Sequence, residues 1–143
     1  MKKGITLIEI LVVIIIISFL AAVSLPVYHK ARVKGVIVKT KTIISSLEAA
    51  LSMYETDFGD YPAGTTSRIL VELLQGPVEN EKWNGPYIRF KKEDIDKNGN
   101  IIDGWKTPLI YKYPQSEKEN VPYLIISAGP DKKFGTEDDF GNW

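Results

Sequence analysis

The sequence predicts an α+β fold in which one long N-terminal helix, apolar in its first half and amphipathic in its second, packs on a small antiparallel sheet. Three observations carry this. An apolar run extends from Ile5 to Leu25, interrupted by the single carboxylate of Glu9. Beyond it Ile37, Thr40, Ile44, Leu47, Leu51, Tyr54 and Phe58 recur at alternating spacings of three and four, the mark of one helix face. Towards the C-terminus, Leu109-Ile110-Tyr111-Lys112-Tyr113 and Tyr123-Leu124-Ile125-Ile126-Ser127 are rich in β-branched and aromatic residues, as strands are.

The first helix is expected to run from Ile5 to Thr56. Its apolar half is about long enough to cross a bilayer, at ~1.5 Å per residue against ~30 Å of hydrocarbon. Pro26 should kink it, because proline removes a backbone donor and crowds the preceding turn, and Gly35 should loosen it again. The amphipathic stripe fits core packing better than a coiled-coil seam, for which it is too short. Asp57-Phe58-Gly59-Asp60-Tyr61-Pro62 supplies the turn chemistry that ends the helix. Ser67 is placed to cap a short helix over Arg68–Gln75 that carries Ile69, Leu70, Leu73 and Leu74. A loop follows from Gly76-Pro77 to Gly85-Pro86-Tyr87, and Asn98-Gly99 between Ile95 and Ile101 reads as a hairpin turn.

The chain has 143 residues, enough for one domain and an anchor, and no cysteine, so neither disulfides nor thiol chemistry is available. Formal charge is zero overall but unevenly spread. Lys2, Lys3, Lys30, Arg32, Lys34, Lys39 and Lys41 face only Glu9 in the N-terminal third, and the C-terminal half is net acidic. No basic patch interleaved with aromatics occurs, so nucleic acid is not an expected partner. The bases from Lys30 to Lys41 suit lipid headgroups or the acids of neighbouring subunits. His29 is the only histidine, no base stands ready for a serine nucleophile, and no phosphate-binding glycine loop is present. No catalytic residues are assigned.

An acid inside a bilayer costs roughly 2.5 to 3.5 kcal/mol, so Glu9 needs a partner. Cleavage after Gly4 would free the amine of Ile5, with a pKa of about 7.7 to 8, roughly one helical turn away. Glu9 could pair with its own amine or with that of a neighbouring copy, and the second option would set the stagger between subunits. A secretory signal peptide is the alternative, with Lys2 and Lys3 as its basic end and Ala22-Val23-Ser24 as its cleavage site. The apolar stretch exceeds the usual roughly 7 to 15 residues and contains an acid, which disfavours that reading.

Two acidic loops stand out. In the tail, Asp131 and the pair Asp138-Asp139 flank a short glycine-containing loop. Calcium takes about six to eight oxygen ligands with flexible geometry, which suits such a set better than magnesium's stricter demands. A solvated acidic turn is the plainer reading of these residues alone. Upstream, Asp94-Ile95-Asp96-Lys97-Asn98-Gly99 fits the opening of an EF-hand loop, but Trp105 stands where the bidentate glutamate belongs and Asp103 could substitute only with different geometry. A polar hairpin is preferred there over a second calcium site.

Gly4-Ile5-Thr6-Leu7-Ile8-Glu9 resembles the processing site of the type IV pilin-like family. The tail, with Ser127-x-Gly129-x-Asp131 leading to paired acids and Gly141-x-Trp143, resembles the calcium loop of the major pseudopilins of type II secretion systems. Asp57-x-Gly59-x-Tyr61-Pro62, Gly85-Pro86-Tyr87 and Trp105-x-x-Pro108-Leu109-Ile110-Tyr111 are similar to the same family. The resemblance implies a pilin-like fold with a leader over residues 1–4, a transmembrane and filament-core helix over 5–25, and an extracytoplasmic domain over 26–143. It implies a substrate of prepilin peptidase, cut between Gly4 and Ile5 and methylated on the new amine, rather than an enzyme. It implies calcium held by Asp131, Asp138 and Asp139, with backbone carbonyls of Ala128 and Thr136. The partners it implies are copies of the chain in a helical filament, other pseudopilins and an inner-membrane assembly platform. The location it implies is the bacterial inner membrane for the precursor and a periplasmic filament after assembly. The positive-inside rule alone would place the Lys30–Lys41 flank in the cytoplasm; the resemblance places it outside. A type IV pilus pilin and a membrane-anchored calcium-dependent binding module are the alternatives.

Overall fold

A computed structural model of the chain describes Gly4 and residues 6–143, with the side chains at 23–27 and 29 outside the description. Helix α1 runs Leu7–Phe58, 52 residues, and its assignment continues through positions 26 and 35. The side chains of Pro26 and His29 lie outside the described residues, and with them the expected proline kink. Among the described residues, no helix is long and apolar enough to cross a membrane; the span expected over 5–25 includes Ile5 and residues 23–25, which fall outside that set. The chain divides into two compact units, residues 1–35 and 36–143, so the division falls at Gly35.

Within the second unit the expected stripe is the face that α1 buries. Thr40, Ile44, Leu47, Leu51 and Tyr54 are buried, Ile37 and Phe58 half-buried. The stripe meets Leu70 and Leu74 from the next segment and Ile101, Leu109, Tyr111, Tyr123 and Ile125 from the sheet side in one core. Each fully buried leucine contributes roughly 1.5 to 3 kcal/mol. The hydroxyl of buried Tyr111 donates to the Pro62 carbonyl at 2.8 Å, so burial strands no polar group there.

The short helix α2, Arg68–Leu70, continues as a π-helical turn over Val71–Gln75. The wider turn is matched by the loop that follows. Trp83 Nε1 donates to the Leu73 carbonyl at 3.0 Å and the Tyr87 amide to the Leu74 carbonyl at 2.9 Å. Ser67 does not cap α2, contrary to expectation. It is buried and helical in backbone, and its hydroxyl accepts from the Ile101 amide at 3.1 Å, a tertiary partner taking the place of the local one.

Strands β1 (Ile110–Lys112), β2 (Leu124–Ser127) and β3 (Phe140–Gly141) form an antiparallel sheet in the order β1-β2-β3. Tyr111 pairs with Ile125, and Ser127 with Phe140. The hairpin expected around Asn98-Gly99 is present, closed by a bridge between Ile95 and Ile101. The third strand was not foreseen. It is held by the side chain of Asn142, whose Oδ1 accepts from the Ile125 amide at 2.8 Å and whose Nδ2 donates to the Tyr123 carbonyl at 3.0 Å. Gly141 lies so close to β2 that a Cβ there would fall 2.1 Å from the Ile125 carbonyl oxygen and 2.3 Å from the Trp143 ring. The indole can swing outward, but the Ile125 backbone cannot yield without disturbing the β2–β3 pairing. Gly141→Ala is therefore expected to destabilise the protein by about 1 to 3 kcal/mol, read as a lower midpoint in chemical denaturation of the detergent-solubilised chain.

Candidate functional site

Two regions carry the residues singled out by the sequence. At the N-terminus, Ile5 lies outside the described residues, as do Lys2 and Lys3; Gly4, on the near side of the expected cleavage point, and Thr6 are described. Thr6 and Glu9 form a reciprocal cap on the start of α1. The Glu9 Oε2 accepts from the Thr6 amide at 2.8 Å and from its hydroxyl at 3.0 Å, while the Thr6 Oγ1 accepts from the Glu9 amide at 3.4 Å. This is the capping-box pattern, which leaves fewer unsatisfied donors at the helix end. Its Thr-x-x-Glu signature stands in the sequence at Thr6-Leu7-Ile8-Glu9, where the apolar run masks it. Behind it, α1 over residues 7–22 is exposed on every side and almost wholly apolar, with Leu7 85 %, Ile14 58 % and Phe19 70 % exposed. Ser18 is accommodated by donating to the Ile14 carbonyl at 2.7 Å, one turn back.

At the C-terminus, residues 128–139 make a loop whose flanking residues, Ser127 and Phe140, are paired across β2 and β3. The loop's two arms touch. Gly129, at φ +65°, passes so near Asp138 that a Cβ would lie 2.2 Å from the Asp138 carbonyl oxygen. Asp131 Oδ1 accepts from the Lys133 amide at 2.9 Å, and Asp139 Oδ2 from the Gly135 amide at 2.6 Å. The Thr136 hydroxyl donates to the Lys133 carbonyl at 3.3 Å, and the Thr136 carbonyl accepts from the Asp139 amide at 3.3 Å. Ala128 is buried, whereas Asp131, Thr136 and Asp138 are exposed. Lys132 takes the left-handed conformation, at φ +61°. Among the described residues no three acidic or histidine side chains converge on one point as metal ligands. One atom nevertheless asks for a partner: Asp139 Oδ1 is buried and accepts no hydrogen bond. A buried carboxylate oxygen without a donor is costly, and carboxylate oxygen is the kind of ligand a hard cation takes.

The second acidic loop spends its carboxylates on itself. Asp96 Oδ1 accepts from the amides of Asn98 and Asn100, both at 2.8 Å, closing the turn around Gly99. Asp94 faces Lys39 of α1 at 3.8 Å. Asp103, 1 % exposed, points inward: Oδ1 accepts from the amides of Trp105 and Thr107 at 2.8 and 2.9 Å, and Oδ2 from the Ser127 hydroxyl at 2.8 Å. The EF-hand resemblance thus ends in a hairpin whose acids already have protein donors. No spacing in Asp103-Gly104-Trp105 announces a buried carboxylate, which is why Asp103 was weighed only as an alternative ligand.

The chain is similar to known proteins over nearly its whole length. Residues 28–143 match the family described as type II secretion system (T2SS), protein G, and residues 1–25 match the prokaryotic N-terminal methylation motif. The type II secretion system core protein G of Escherichia coli strain K12 is 34 % identical over 99 % of this chain and 91 % of its own. That of Pectobacterium carotovorum is 37 % identical over 99 % and 85 %, and that of Pseudomonas aeruginosa 32 % identical over 99 % and 95 %. In structure the chain is similar to the crystal structure of the major pseudopilin from the type 2 secretion system of enterohaemorrhagic Escherichia coli. That similarity has a TM-score of 0.55 at 27 % identity, covering 80 % of this chain and 87 % of that one.

The turn at Asp96 makes a pH prediction. The amide N–H of Asn100, more than any other group, holds the Asp96 carboxyl below the usual range. A carboxyl depressed in the folded state stabilises fully above its unfolded pKa of about 3.9, and that contribution is lost as pH falls through the native value. Melting temperature measured from pH 6 down to pH 2 should therefore fall less steeply for Asp96→Asn than for the unaltered protein.

Proposed function

The chain belongs to the type II secretion system protein G family, and from that membership we propose that processing after Gly4 turns a membrane-anchored precursor into the repeating unit of a helical pseudopilus. It is a structural pseudopilin subunit and not an enzyme, and its N-terminal motif marks it as a substrate of prepilin peptidase. The observation that carries the assembly reading is the position of Glu9 at the head of a helical segment, residues 7–22, that is exposed and almost wholly apolar all round. Water does not tolerate so large an apolar surface, so lipid covers it in the precursor and neighbouring α1 helices cover it in the filament. In that setting Glu9 pairs with the methylated Ile5 amine of an adjacent copy. The opposite charges fix which copy and which stagger, while the apolar surface supplies adhesion. Other pseudopilins and an inner-membrane platform complete the assembly, and the finished filament stands in the periplasm.

The tail loop binds calcium in this reading. Asp131, Asp138 and Asp139 supply side-chain oxygens, and the carbonyls of Ala128 and Thr136 supply backbone ones. What supports it is the unpartnered Asp139 Oδ1 within a loop whose two arms meet. A bound cation offsets the mutual repulsion of these acids and holds together a loop that no disulfide crosses.

Two measurements test the proposal. In cells that overproduce the secretion machinery, Glu9→Gln should abolish filaments seen by electron microscopy while leaving the loss of residues 1–4 by mass spectrometry intact. Filaments at unaltered length and number would refute the assembly reading. Calorimetric titration of the detergent-solubilised protein should return one calcium site, abolished by Asp139→Asn. Calcium at one hundred times its dissociation constant should add about 2.7 kcal/mol of stability, reversed by chelator. Two sites would reinstate the loop around Asp96.

A further inference from the structure

We propose that Asp103 and Ser127, which lie outside the proposed calcium-ligand set, are positioning residues that hold the mouth of the tail loop in its cation-binding form. The inference rests on the calcium reading above. Its basis is a chain of hydrogen bonds between buried groups. The Ser127 hydroxyl donates to Asp103 Oδ2 at 2.8 Å and accepts from the Gly129 amide at 3.2 Å. Asp103 and Ser127 are 1 % and 0 % exposed, so neither bond competes with water. Gly129 is where the loop turns: its φ is +65°, its backbone abuts Asp138, and its carbonyl accepts from the Lys132 amide at 3.3 Å. Asp103 therefore reaches the loop's first arm through one hydroxyl.

The same turn reaches the second arm. Trp105 packs edge-on against Phe140, with ring centroids 5.8 Å apart, and Phe140 directly follows Asp139. Asp103 is itself fixed by the Trp105 and Thr107 amides and by its own amide donating to the Thr107 carbonyl at 2.8 Å. The turn is tied to α1 where the Gly104 amide donates to Thr40 Oγ1 at 2.9 Å. Residues 103–107 thus form a clamp on both ends of the loop, anchored to the long helix. A carboxyl buried at that point is justified by what it holds, because three donors converge on it and the third belongs to the strand that leads into the loop. Groups that orient ligands without touching the metal typically change affinity by roughly 10- to 100-fold when removed.

The test is calcium titration of the full-length protein in detergent, by calorimetry, with melting temperature measured in chelator on the same samples. Ser127→Ala removes the hydroxyl bridge and leaves Asp103 its two amide donors. Asp103→Asn keeps an acceptor for those amides and replaces Oδ2 by an amide that cannot accept from Ser127. Each variant alone should weaken calcium binding roughly 10-fold or more. The double variant should be no weaker than Ser127→Ala, because the two act through one path. A purely structural role predicts something else: a lower melting temperature in chelator with a calcium dissociation constant within twofold of the unaltered protein. That result in either variant overturns the inference while leaving the calcium site standing. Absence of calcium binding in the unaltered protein overturns the calcium reading itself.

Discussion

The face of α1 from Thr40 to Tyr54 is the surface on which the domain is built. The sheet contributes only three short strands, too little to bury an apolar face by its own closure. Ile101, Leu109, Tyr111, Tyr123 and Ile125 are covered because Ile44, Leu47, Leu51 and Tyr54 lie in the same core. Remove that stripe and the hairpin, the sheet and the tail lose their common support. The same helix carries an apolar surface of a different kind over residues 7–22, where residues are exposed on all sides instead of along one stripe. One element thus changes its pattern of hydrophobicity along its length, and with it the medium that each part requires.

The acids are divided by what they already hold. Asp57 and Asp60 accept from the hydroxyls of Tyr87 and Tyr113, which hold both carboxyls below the ordinary range. Asp96 closes a turn and Asp103 holds a clamp. These four are committed to the fold. Asp131 and Asp138 are exposed, and Asp139 keeps one oxygen without a donor. These aspartates thus separate into ones whose oxygens are spent on protein donors and, in the tail, ones with oxygens left to meet something from outside.

Much of the fold was legible in the sequence because its signals are periodic. The 3-4 spacing marked the buried face of α1, two β-rich runs marked β1 and β2 to within two residues, and Asn98-Gly99 marked the hairpin. What escaped depends on partners far along the chain. Ser67 looked like a cap and bonds the backbone of Ile101 instead. β3 has two residues and no alternation to read; it exists because Asn142 clips it to β2. Asp103 reads as a substitute ligand of the EF-hand-like loop, and only the arrival of Ser127 from 24 residues away makes it an internal partner instead. In the candidate site, acid identities and spacing were readable, whereas the contact of Gly129 with Asp138 was not.

The Thr6–Glu9 cap alters how subunit joining must be understood energetically. Glu9 in the lone molecule is already satisfied by two donors from Thr6, so any incoming cation has to compete with them. If subunits join through Glu9 as proposed, association there exchanges one set of bonds for another, and the net gain is small compared with the strength of an isolated ion pair. A junction made by exchange discriminates sharply between right and wrong neighbours yet remains easy to undo. A polymer joined in that proposed way would grow and be dismantled with modest expenditure of work, its cohesion spread over many weak greasy contacts and its accuracy concentrated in one atom group.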